Sequence, residues 1–198
     1  FNNERLTISL LSLAPAARHK HEHTHQTLRW LVGPATLTLD TLRQPSHVPD
    51  KHVSFHHPGS TYAVTNDGDD ECVQLVFDIL QPPHHTAQQV DQLLAAAIYP
   101  TDVGTDLLFE NEWCRAWDFS LPPGGGDPLK PHHHVLDYAL VYVARGRLLG
   151  FDHEGRPGLF DSVNEPFDVQ WFTIPDSAPT DPTFAHAGKN GYADLPMR

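Results

Sequence analysis

Pro131-His132-His133-His134 is followed by Asp137, and fifty-two residues after His134 come His186 and Asn190 in the spacing H-x3-N. Histidines at i and i+2 lie on one face of a β-strand because side chains alternate sides. One ion can therefore take both imidazoles while a distant strand supplies a third. The pattern reads as a divided metal-ligand set made of His132, His134 and His186. His133 has the opposite parity and is expected to face away from the ion. Taken alone, three histidines after Lys130-Pro131 also suit an exposed turn, so the elements that would position them decide the matter.

Eighteen prolines and thirteen glycines punctuate short runs of branched and aromatic residues. Those runs span residues 6–13, 28–32, 35–42, 72–80, 114–121, 138–151 and 169–174, a spacing that predicts an all-β sandwich or barrel. One stretch differs. In residues 86–99, Val90, Leu93, Leu94 and Ala97 recur at helical spacing between Pro82-Pro83 and Pro100, which predicts a linking helix. The acidic turn at residues 67–71 reads as a solvated hairpin. Gly124-Gly125-Gly126 reads as a flexible loop which, at a barrel mouth, could gate entry.

The predicted helix separates two copies of one pattern. Phe1-Asn2-Asn3-Glu4 and Leu13-Ala14-Pro15 match Phe109-Glu110-Asn111-Glu112 and Leu121-Pro122-Pro123 at a constant offset of 108. After the insertion Gly124-Gly125-Gly126-Asp127-Pro128, an offset of 113 aligns His19 and His21 with His132 and His134, and Gly33 with Gly146. Tyr62-x3-Asn66 then answers His186-x3-Asn190. The order of these matches along both halves predicts an internal duplication.

With these residues in view, each half resembles a cupin, a small antiparallel barrel of the jelly-roll kind. The family's first motif runs G-x5-H-x-H, three or four residues, E, six residues, G; its second runs P-x-G, two residues, H, three residues, N. Gly126 to His134 fits the opening of the first, Gly146 stands at its closing glycine, and His186 to Asn190 fits the end of the second. The resemblance implies two cupin barrels joined by a short helical linker: residues 1–82, a linker at 83–104, and residues 105–198 carrying the metal site. Where the family's glutamate ligand should stand this chain has Ala139, preceded by Tyr138 and Asp137. Asp137 is the nearest substitute, and the site holds either three nitrogens and one oxygen or three histidines alone. Both sets suit one divalent transition metal: Fe, Mn, Ni, Co or Zn. In the first half Gln26 and Tyr62 replace ligands, so His19 to His25, with four histidines at alternate positions, is either a decayed site or a second metal centre. Few residues follow Asn190 to answer the strand at residues 72–80, so the expectation is either that this strand lies beyond Arg198 or that the second barrel is closed differently.

The resemblance further implies a metal-dependent enzyme on a small oxygenated or carboxylated compound, most often of dioxygenase type. Tyr138 and Asp137 are the catalytic candidates, Tyr138 as acid or base. A lyase or isomerase, or a non-catalytic metal- or ligand-binding bicupin, is the alternative. Trp113, Trp117, Trp171 and Phe172 read as core or inter-domain packing, and Arg115 and Arg145 as surface residues or a carboxylate fork. Thirteen basic against twenty-five acidic residues give a formal charge of -12, which repels phosphate backbones and anionic lipid surfaces and argues against nucleic-acid partners. Two cysteines, Cys72 and Cys114, make neither a disulfide framework nor a C-x2-C site. No apolar run approaches the ~20 residues that span a bilayer. The expectation is a soluble, cytoplasmic monomer or homodimer.

Overall fold

The computed structural model describes residues 1–39 and 44–198. In the first half, the runs rich in branched residues become strands: β1 (Leu6–Leu13), β2 (Arg18–Glu22), β3 (Gln26–Val32), β4 (Ala35–Leu39), β5 (Ser46–Val48), β6 (Val53–His56), β7 (Thr61–Asn66) and β8 (Cys72–Ile79). The run expected over 35–42 is a strand to Leu39; residues 40–42 lie outside the described residues. These strands form two four-stranded sheets, ordered β1-β8-β3-β6 and β2-β7-β4-β5, with antiparallel pairing throughout. Period-two alternation turns Leu13, Leu31, Leu37, Val48, Tyr62, Val64 and Cys72 into a common core. Fully burying an aliphatic side chain of this kind contributes about 1.5–3 kcal/mol, which is what sets the register of each strand.

The second half begins with α1 (Ala87–Ala96), started by a capping box in which Gln89 N–H donates to Thr86 Oγ1 and Thr86 N–H donates to Gln89 Oε1. The predicted helix is shorter than its periodic pattern because Ala97 adopts extended backbone at φ -65 and ψ 126, and Ile98 N–H then donates to Pro179 O. There follow β9 (Asp106–Glu110), β10 (Arg115–Asp118), β11 (Tyr138–Val141), β12 (Gly146–Asp152), β13 (Pro157–Asn164), β14 (Val169–Phe172) and β15 (His186–Asn190). β11 pairs with β14, and β12 is flanked by β13 and β15. Tyr142, Leu148 and Met197 form the buried centre, with Phe119, Leu121, Leu140 and Phe160 against it. By contacts the chain divides into Phe1–Pro83 with Leu108–Cys114, and His84–Leu107 with Arg115–Arg198; α1 belongs to the second unit. Among the described residues, no helix is long and apolar enough to cross a membrane.

The asparagine of the H-x3-N spacing has the same structural task in each unit. Asn66 Nδ2 donates to Leu13 O and Asp70 O at 2.9 and 2.8 Å, while its Oδ1 accepts from Gly68 N–H. Asn190 Nδ2 donates to Pro122 O and Leu195 O at 3.1 and 2.7 Å, while its Oδ1 accepts from Tyr192 N–H. Both residues are 1 % exposed, so each satisfies carbonyls that burial would otherwise leave unpaired. The backbone pairing Leu13↔Cys72 in one unit is likewise answered by Leu121↔Met197 in the other.

Candidate metal centre

His132 and His186 are cross-strand partners: His132 N–H donates to His186 O at 2.9 Å and His186 N–H donates to His132 O at 3.1 Å. Directly opposed residues project to one face of an antiparallel pair, so the two imidazoles share a side. Two positions on, His134 returns to that side. The His132 and His134 Nε2 atoms stand 3.2 Å apart, and ligand nitrogens of all three histidines lie within 4.8 Å of one another. Two nitrogens bound to one ion at about 2.0–2.1 Å stand roughly 2.9 Å apart at a right angle and roughly 3.3 Å apart at a tetrahedral one. The His132–His134 separation falls between these, so that pair fits a bound ion, and His186 lies close enough to be a third ligand.

Electrostatics suits the same task. Burial pushes His132 down to about 4, with His186 the next cause. Desolvation also lowers His134, its two partners adding to the effect, and lowers His186 against an opposing hydrogen bond to the Phe184 carbonyl. At neutral pH all three present lone pairs rather than protons, the form a metal ligand needs.

The surrounding aromatic rings form a column. Tyr138 stacks on His134 with 3.8 Å between ring centroids, Phe172 stacks on the other partner, Tyr138, at 4.7 Å, and His134 stacks on His186 at 5.1 Å. β11 and β14 set this order by pairing Tyr138 with Phe172. Phe160 meets the His186 ring edge at 5.9 Å, seated where Gly150 has no Cβ; one built there would stand 2.5 Å from the ring. Burial drives the Tyr138 phenol well above its ordinary range. Phe172, expected in packing, packs on Tyr138, and Phe160 carried no signal in the sequence.

Asp137 stands apart from the three nitrogens, which group without it; its Oδ1 accepts from Ile174 N–H at 2.8 Å. His133 faces away as its parity requires. It is fully buried, beside Tyr99 at 5.3 Å, with its N–H donating to Pro100 O. Arg145 pairs with Glu165 across 3.3 Å at the surface. The Gly124-Gly125-Gly126 loop is not the free flap its composition suggests: Gly124 N–H donates to Tyr192 O and Asn190 N–H donates to Gly125 O, both at 2.7 Å. Gly126 has φ +105, and a Cβ there would stand 2.3 Å from Gly188 O. Only glycine lets this loop lie against β15 so close to His186.

In the first unit the strand register corrects the alignment made from offsets. β2 and β7 place His21 opposite Tyr62 and His19 opposite Val64. Because His132 stands opposite His186, the counterparts of His132 and His134 are His21 and His23, not His19 and His21. A constant offset misses this because Gly146 lies twelve positions after His134 and Gly33 only ten after His23. His23 is 1 % exposed and stacks on His56 at 4.7 Å. Among the described residues, the His19 to His25 run does not form a group that could share an ion.

No family model matches the sequence, and no curated protein matches it. Solved structures do. AerE from Microcystis aeruginosa is similar over 100% of this chain and 86% of its own, at TM-score 0.57 and 13% identity. A cupin superfamily protein from Desulfitobacterium hafniense is similar over 41% of this chain and 72% of its own, at 20% identity and TM-score 0.33. A cupin domain from Bordetella pertussis is similar over 40% and 85%, at 21% identity and TM-score 0.34. At these identities the likeness concerns the fold alone.

Proposed function

We propose that the protein is a metal-dependent cupin enzyme acting on a small oxygenated or carboxylated organic compound, with dioxygenase-type chemistry as the leading reading. The observation that carries it is the convergence of three neutral imidazoles on one point beside an aromatic wall. His132, His134 and His186 hold one divalent transition metal. Such an ion acts as a Lewis acid toward substrate oxygens, or, as iron, as the place where dioxygen is activated.

The chain's own groups do the rest. Phe160 gives the substrate an apolar edge beside His186, and Phe172 backs the Tyr138 ring. Tyr138 keeps its proton on Oη at neutral pH, because burial raises its pKa, so it acts as a donor and not as a base. Asp137 ties the segment between His134 and β11 to the end of β14 through Ile174, which makes it a positioning residue in this reading.

The test is oxygen consumption by protein reconstituted with Fe(II), screened over small carboxylic and enolic compounds. Substrate-dependent uptake that disappears in His186→Ala supports the dioxygenase reading. Turnover without uptake would overturn it in favour of a lyase or isomerase, a reaction class that the protonated Tyr138 also serves.

A further inference from the structure

The first unit, which lacks a ligand cluster among its described residues, encloses a cavity of about 270 Å³. Its lining combines apolar Leu31, Leu37, Leu39 and Val48 with the polar groups of Arg29, Tyr62 and Gln74, and includes His52 and His56. Strand parity explains the selection. Leu31 pairs with Gln74 and Arg29 with Ser54, so alternate residues of β3, β6 and β8 face the same space.

Arg29 is the anomaly. It is 4 % exposed, and among the described residues no carboxylate pairs with it. Its contacts are weak for a buried cation: a hydrogen bond to Gln74 Oε1 at 3.4 Å and the Tyr62 ring face at 4.1 Å. Its Nε has no acceptor at all. Asp78 acts on it through space and already accepts from Thr27 Oγ1 at 2.6 Å. Burying a guanidinium without a carboxylate partner is costly, and its planar fork matches a carboxylate. Tyr62 and Gln74 bond each other through the Tyr62 hydroxyl at 3.1 and 3.2 Å, which fixes the platform under the guanidinium.

We propose that this cavity is a metal-independent binding site for a small organic monocarboxylate, its carboxylate on Arg29 and its apolar body against Leu31, Leu37, Leu39 and Val48. The volume sets the ligand below drug size. Tyr62 stands where a metal-binding barrel would place a histidine, so the substitution that removes the ligand also builds the arginine's platform. The site does not depend on the second unit's metal.

The experiment is calorimetric titration of the full chain, stripped of metal, with 4-methylpentanoate and with its neutral isostere 4-methylpentanamide. The expected result is saturable binding of the acid, at least about tenfold weaker binding of the amide, and loss of acid binding by at least about tenfold in Arg29→Met. Binding should persist in His132→Ala/His186→Ala. Equal binding of acid and amide, unchanged binding in Arg29→Met, loss in the histidine variant, or no saturable binding by the wild type would each overturn the proposal. Leu37→Phe, which fills the cavity and leaves the charge in place, provides the second variant; it should also abolish binding, and binding that survives it would place the ligand elsewhere.

Discussion

The Tyr138 ring lies nearly parallel to the His134 imidazole, 14° between planes and 3.8 Å between centroids. A metal-ligating imidazole must be held in one rotamer for its lone pair to stay aimed, and groups outside the ligands commonly do this. In the proposed site a ring face would do it. Tyr138→Phe keeps that face and should leave metal affinity within about twofold, whereas Tyr138→Ala removes it and should weaken affinity about tenfold. Competition titration against a chromophoric chelator measures both; equal loss in the two variants would mean that the hydroxyl, not the ring, supports the site.

The first unit should be acid-sensitive. Burial pushes His23 and His56 down to about 4, the Arg29 charge being the next cause for each. Since the ordinary value is 6.5, the unfolded chain binds more protons than the folded one between these limits. Stability is therefore complete above about 6.5 and declines as pH falls toward about 4. His23→Leu removes a buried titrating ring whose two nitrogens have no hydrogen-bond partner. Thermal melts across that pH range should show a smaller decline in His23→Leu than in the wild type; an identical decline would assign the acid sensitivity to other groups.

Asn66 and Asn190 make the same clamp in the two units, and replacing either with alanine leaves buried carbonyls without donors. Each substitution should cost about 2–4 kcal/mol, the sum of lost hydrogen bonds and unpaired carbonyls. Urea denaturation measures this. A cost below about 1 kcal/mol in either variant would remove the clamp from the account of the repeated motif.

Much of this was legible in the sequence because it rests on local pattern. Alternating parity placed His132 and His134 together and turned His133 away, and the H-x3-N spacing pointed to both His186 and its structural asparagine. What the sequence could not show depends on register and on distant pairs. The shift of the first-half histidines by two positions becomes visible only when His21 is seen opposite Tyr62. Phe160 reaches His186 only because β12, carrying Gly150, pairs with β13 on one side and β15 on the other. The glycine loop looked flexible because composition does not reveal that Gly126 must lie against Gly188. Arg29, in a strand that reads as ordinary barrel wall, gave no sign of being an unpaired buried cation.

The central claim is that His132, His134 and His186 bind one transition metal, and elemental analysis of the purified protein tests it most directly. Wild type, His132→Ala/His186→Ala and Arg29→Met would be reconstituted in parallel, desalted and counted for metal per chain. The account predicts about one ion per chain in wild type and Arg29→Met, and none in the histidine variant. Absence of metal from the wild type, or equal metal in the wild type and the histidine variant, would contradict it.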